Sequence, residues 1–123
     1  MKTEENNVIL DKTFAFAIRI VNLYKYLTTN AINKEFVLSK QLLRSGTSIG
    51  ANIEEAVGAA STADFINKVT IAYKEARESK YWIRLLNKTG YLSDEEINTL
   101  SHDLDEICNI LAKIQITTKN RNS

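Results

Sequence analysis

Apolar positions along the chain fall into four runs, each with a helical period. The first covers about Val8 to Asn30, where Leu10, Phe14, Ala17, Val21 and Tyr24 recur at alternating gaps of four and three. Ile18, Ile20, Leu23 and Leu27 widen its apolar surface, and the polar Thr28-Thr29-Asn30 ends it. The second covers about Glu35 to Ala60, with Leu38, Leu42, Ser45, Ile49, Asn52, Ala56 and Ala59 in the same rhythm. Its later half is small and polar, which suits a closely approaching neighbour. The third covers about Thr62 to Lys88, with Phe65, Val69, Ala72, Ala76, Ser79, Ile83 and Leu86 as its stripe. Ser61 and Asp64 resemble a weak capping box at its start, and Gly90 suits a left-handed cap just beyond its end. The fourth opens on Ser93-Asp94-Glu95-Glu96, a capping box with acids in the first turn. Ile97, Leu100, Leu104, Ile107, Leu111 and Ile114 form its stripe, which stops near Thr117. Residues 118–123 read as a frayed tail.

Four amphipathic segments joined by short loops predict an all-α protein, an antiparallel up-down four-helix bundle with residues 1–123 as one domain. No β-type alternation of useful length competes. The absence of proline permits long uninterrupted helices. Gly46, Gly50 and Gly58 each cost a helix about 1 kcal/mol relative to alanine, and close packing against another helix would offset that cost. The 123 residues suffice for a single core without staples. With 44% apolar and 25% charged residues the balance is that of a soluble globular protein. A lone cysteine, Cys108, fits a reducing compartment. The polar start Met1–Asn7 lacks the apolar run of a signal peptide, and no segment is long and apolar enough to span a bilayer, so a cytoplasmic protein without membrane contact is expected.

No recognisable catalytic constellation emerges. His102 sits among acids, off the apolar stripe, and reads as an exposed surface residue. Cys108 reads as a small buried hydrophobe. One histidine cannot supply two Glu-x-x-His pairs for a di-iron bundle, and neither a phosphate-binding glycine loop nor a zinc ligand set is present. No cofactor, metal, catalytic residue or small-molecule substrate is therefore expected. Glu54, Glu55, Glu75 and Glu78 could in principle do acid–base chemistry, but ion pairing with Arg44, Lys74 or Arg77 is the plainer use. Ser48, Asn52 and Glu55 share one flank of the second helix. With Glu78 they would form a partly buried polar network that sets helix register.

The net charge of +1 hides an asymmetry. Residues 94–113 carry six acids against one base, whereas residues 64–88 carry six bases against three acids. Arg77, Lys80, Arg84 and Lys88 follow one another at helical spacing, bordered by Tyr73 and Tyr81, while Lys40 and Arg44 add charge on the second helix. Such a stripe can hold phosphates and stack bases, or it can simply be solvated or paired with acids. Tyr73, Tyr81, Trp82 and Leu85 extend apolar surface beyond the third helix's core stripe, which suggests an oligomer interface.

The stretch Phe36-Val37-Leu38-Ser39-Lys40-Gln41-Leu42-Leu43-Arg44-Ser45-Gly46-Thr47-Ser48-Ile49-Gly50-Ala51-Asn52-Ile53-Glu54-Glu55-Ala56 strongly resembles the bacterial four-helix-bundle protein family. That family includes proteins encoded in intervening sequences of 23S ribosomal RNA genes. The likeness continues through Ala63-Asp64-Phe65-Ile66 and Ile71–Ile83 to Leu85-Leu86 and Gly90. Ser79 and Ile83 depart mildly from the expected Thr and Leu. The resemblance implies a bundle assembling into a ring, a homopentamer. It also implies similarity to accessory proteins of diversity-generating retroelements, which bind nucleic acid through basic surfaces. It supplies no catalytic residues and leaves the biochemical role obscure. If nucleic-acid binding carries over, charge and geometry place it on Lys40, Arg44, Arg77, Lys80, Arg84 and Lys88. The expected function is thus a non-enzymatic oligomeric bundle binding RNA or DNA, or alternatively a structural or protein-interaction module without nucleic acid.

Overall fold

With no proline to interrupt them, the four periodic segments become long helices. The computed structural model describes residues 3–121, which form α1 (Thr3–Thr29), α2 (Val37–Val57), α3 (Thr62–Lys88) and α4 (Asp94–Arg121). There is no strand among the described residues. Each helix packs beside the next in chain order, and α1 meets α4 least closely. The fold is the all-α four-helix bundle that the periodicity predicts.

The stripes of α3 and α4 are the buried faces as read: Val69, Ala72, Ala76, Ile83 and Leu86 on α3 and Leu100, Leu104, Ile107 and Leu111 on α4 belong to one core cluster. The signals around the α3–α4 turn also hold. Gly90 takes φ +92 just beyond α3. Ser93 and Glu96 exchange backbone N–H bonds, each at 3.1 Å. At the start of α3 the Ser61 hydroxyl accepts from the Asp64 N–H at 3.1 Å.

The stripe read for α1 is rotated away from the core. Phe14 is 64% exposed and Ile18 49% exposed, whereas Ile9, Thr13, Phe16, Ile20 and Leu27 are buried. The cause lies on α2. Gly46 and Gly50 present bare backbone toward α1, and a β-carbon there would stand 3.0 Å from two Ile20 side-chain carbons and 3.3 Å from the Thr13 carbonyl oxygen respectively. The glycines therefore draw in the Thr13–Ile20 edge. Thr13 tolerates burial because its hydroxyl donates to the Ile9 carbonyl at 2.8 Å.

Four helix ends differ from expectation. Helix α1 begins at Thr3, ahead of the expected Val8. Helix α2 begins later because Glu35 folds back on its first turn, accepting from the N–H groups of Val37, Leu38 and Ser39 at 3.0, 3.1 and 2.6 Å. The Ser39 hydroxyl donates in return to the Glu35 carbonyl at 2.8 Å. Helix α2 also ends early, with Gly58 as its C-cap. Helix α4 continues to Arg121 rather than fraying from residue 118, and the last part of the expected tail, 122–123, lies outside the described residues.

Candidate nucleic-acid interface

The outer surface of α3 is shaped by where its acids go. Asp64 stays in the first turn. Glu75 and Glu78 both turn toward α2 and grip Arg44, with Glu75 at 3.2 Å. Lys80 turns the other way and pairs with Asp105 of α4 at 2.6 Å. What remains facing outward is Lys74, Arg77, Arg84 and Lys88, for which there is no carboxylate partner among the described residues. Lys40 is equally exposed and equally without an acid. Ser45 faces Ser79 at 2.9 Å, and equal steps back along α2 and onward along α3 reach Lys40 and Arg84 at one level of the bundle. Of the six cations read from the sequence, the fold leaves Lys40, Arg77, Arg84 and Lys88 free of acids and commits Arg44 and Lys80 to ion pairs. Sequence spacing could not separate these groups, because the committing carboxylates come from the neighbouring flank and from another helix.

Aromatic side chains interleave with the free cations. The Arg77 guanidinium lies 6.0 Å from the Tyr73 ring centroid and donates to its hydroxyl at 3.5 Å. That bond holds Arg77 above its ordinary pKa range. Tyr81 is 50% exposed. Its ring meets Trp82 edge-on, with centroids 5.0 Å apart and planes at 75°. Trp82 is half-buried and donates its indole N–H to Glu78 at 2.9 Å. Tyr81, Arg84, Leu85 and Lys88 line a shallow hollow of about 240 Å³.

Of the four residues read as an oligomer interface, Tyr73 and Trp82 pack partly against the core, which leaves Tyr81 and Leu85 to face outward. The largest exposed apolar side chain on α1 that the reading had sent inward is Phe14, joined on its outer face by Ile18. Phe14, Leu10 and Ala17 share a groove of about 280 Å³ with Thr47, Gly50 and Ala51 of α2.

The expected polar network of Ser48, Asn52, Glu55 and Glu78 is not joined. The Asn52 amide donates within its own helix to the Ser48 carbonyl and hydroxyl, at 2.9 and 3.0 Å. Glu55 reaches Lys68 at 3.6 Å, and Glu78 is taken by Arg44 and Trp82. The carboxylates of Glu55 and Glu78 thus stand in separate pairings. The register between α2 and α3 is held instead by the buried Ser45–Ser79 bond. His102 is exposed and reaches Glu106 at 3.3 Å. Cys108 is buried, and burial pushes its thiol up, with Lys80 pulling the other way. Among the described residues no group of His, Cys, Asp and Glu is placed to hold a metal ion, and no helix is long and apolar enough to cross a membrane.

Residues 5–113 match the model of the 23S rRNA-intervening sequence protein family. The chain belongs to that family. A solved structure from Bacteroides thetaiotaomicron, a protein of unknown function from the S23 ribosomal protein family, is similar to it at 52% identity and a TM-score of 0.86. That likeness covers 90% of this chain and 97% of the other. No curated protein matches. The stretch shared with the 23S rRNA-intervening sequence proteins contains every residue of the α3 surface and ends before the last turns of α4. The departures at Ser79 and Ile83 both lie in the core, where Ser79 also donates to the Glu75 carbonyl at 2.9 Å.

Proposed function

We propose that this protein is a non-enzymatic, self-associating bundle of the cytoplasm that binds RNA or DNA through the outer face of α3. One observation supports the reading best: α3 turns its Glu75 and Glu78 toward α2, and the outward Arg77, Arg84 and Lys88 are left without acids. Cations not already neutralised can release counterions from a phosphate backbone, which is the main source of non-specific affinity. A net charge of +1 makes one copy a weak binder. Self-association into a ring would repeat the row and convert weak contacts into avidity. For the self-contact we favour the apolar face around Phe14 and Ile18 over the Tyr81 surface, since an exposed apolar patch of this kind marks a partner site.

The test is gel retardation with mixed-sequence RNA and DNA across a salt series. Binding should fall steeply as salt rises, and Arg77→Glu with Arg84→Glu should abolish it while the helical spectrum is kept. Absence of binding at low salt would remove the reading. A purely structural or protein-interaction module is the second reading, favoured by the same Phe14 face. It predicts an assembly whose mass is unchanged by nuclease and a pull-down with no nuclease-sensitive component.

A further inference from the structure

We infer that the α3 surface selects single-stranded over double-stranded nucleic acid, with Tyr81 as the base-stacking platform. The inference rests on the nucleic-acid reading above and deepens it.

A duplex presents phosphates outward and keeps its bases stacked within, so a flat helix face can use only cations against it. Unpaired bases expose their faces, and an aromatic ring beside a cation then adds stacking to the phosphate contacts. The α3 face offers both in register. Tyr81 is half-exposed, and its ring does not stand alone. Trp82 stands against it with the two ring planes at 75°, Glu78 accepts the Trp82 indole N–H, and Arg44 of α2 holds Glu78. This chain of contacts runs from the neighbouring helix to the ring and reduces the ordering cost of stacking a base on it. The hollow beside it is lined by the apolar Leu85 and the cationic Arg84 and Lys88, a set suited to a planar base and its phosphates. One turn below, Arg77 over Tyr73 makes a cation–aromatic pair on the same helix.

Trp82 is the only tryptophan in the chain and touches Tyr81, so its emission reports occupancy of the platform. The full-length protein is titrated at low salt with a single-stranded oligoribonucleotide and with an RNA duplex of equal length, followed by anisotropy of a dye on the strand and by Trp82 emission. Single strands should bind more tightly and change Trp82 emission, while duplex bound to saturation leaves it unaltered. Tyr81→Ala should weaken single-strand binding by about fivefold or more and leave duplex binding unchanged, and Tyr81→Phe should restore it. Equal affinity for both forms, equal loss for both in Tyr81→Ala, or the same emission change with duplex overturns the inference and leaves the nucleic-acid reading standing. Binding to neither form overturns both.

Discussion

Ser45 donates its hydroxyl proton to Ser79, and the direction is set by the helix that Ser79 sits on. The Ser79 hydroxyl reaches the Glu75 carbonyl at 2.9 Å, whereas Ser45 reaches its own helix only at 3.4 Å, so the arrangement that best satisfies both hydroxyls has Ser45 donating across the 2.9 Å gap. Both side chains are fully buried. The two substitutions are therefore unequal. Ser79→Ala leaves the Ser45 proton with only the distant Leu42 carbonyl at 3.4 Å, and should cost about 1–3 kcal/mol. Ser45→Ala leaves Ser79 bonded to Glu75 and should cost less than about 1 kcal/mol. The double variant removes the orphaned Ser45 hydroxyl as well and should cost less than Ser79→Ala alone. Urea unfolding of the three variants measures this, and equal single effects that add would show that the bond runs otherwise.

Gly46 is the position where α2 admits α1. An alanine there gains about 1 kcal/mol of helix propensity. Its β-carbon, however, would stand 3.0 Å from both γ-carbons of Ile20, which is buried and has no room to retreat. Overpacking of this kind costs about 1–3 kcal/mol, so a net loss of stability is expected for Gly46→Ala. Adding Ile20→Val should recover part of it. A higher melting temperature for the single variant would contradict the close approach.

These two positions also mark where the sequence was legible and where it was not. The α3 and α4 stripes could be read directly because each of those helices has one apolar face, and α4 carries an explicit capping box. Helix α1 carries more than one apolar stripe, and periodicity cannot choose between them. The choice is made by Gly46 and Gly50 on α2, a contact between helices that spacing along one helix does not encode. The cations behave in the same way. Arg44 and Arg77 look equivalent along the chain, and only the carboxylates of other flanks neutralise one and spare the other.

Glu35 links the bundle's stability to pH. Burial alone pushes its carboxyl up, but the N–H groups of Ser39, Leu38 and Val37 bond the charged form and together bring it below the ordinary carboxylate value. A carboxyl depressed by folding adds stability that is complete above its unfolded pKa and is lost as pH falls through the folded one. Wild-type protein should therefore lose stability on acidification from about pH 5 downward, and Glu35→Gln should lose less over the same range. At neutral pH Glu35→Gln should be the less stable of the two, by about 0.5–2 kcal/mol, as for loss of a helix cap. Denaturation midpoints at neutral and acid pH test both signs, and parallel acid profiles for the two proteins would exclude Glu35 as the linked group.

The outward face of α1 separates the two surfaces that the sequence left entangled. Tyr81 and Leu85 could serve self-association or ligand binding, but not both at once on one copy. Phe14 and Ile18 offer the alternative, since they are exposed and one turn apart, and Phe14 lines the groove shared with Gly50 and Ala51. A charge placed there meets water in the lone copy and costs little, because neither side chain contributes to the core. In an apolar contact between copies the same charge would be buried without a partner, at a cost of several kcal/mol. Phe14→Asp should thus reduce the mass in solution, measured by light scattering, while keeping the helical circular dichroism spectrum. Tyr81→Asp should keep the mass and lose single-strand binding. If instead Tyr81→Asp dissociates the assembly and Phe14→Asp does not, the copies meet through α3. The cations beside Tyr81 would then line the seam between subunits, out of reach of a strand running along the surface.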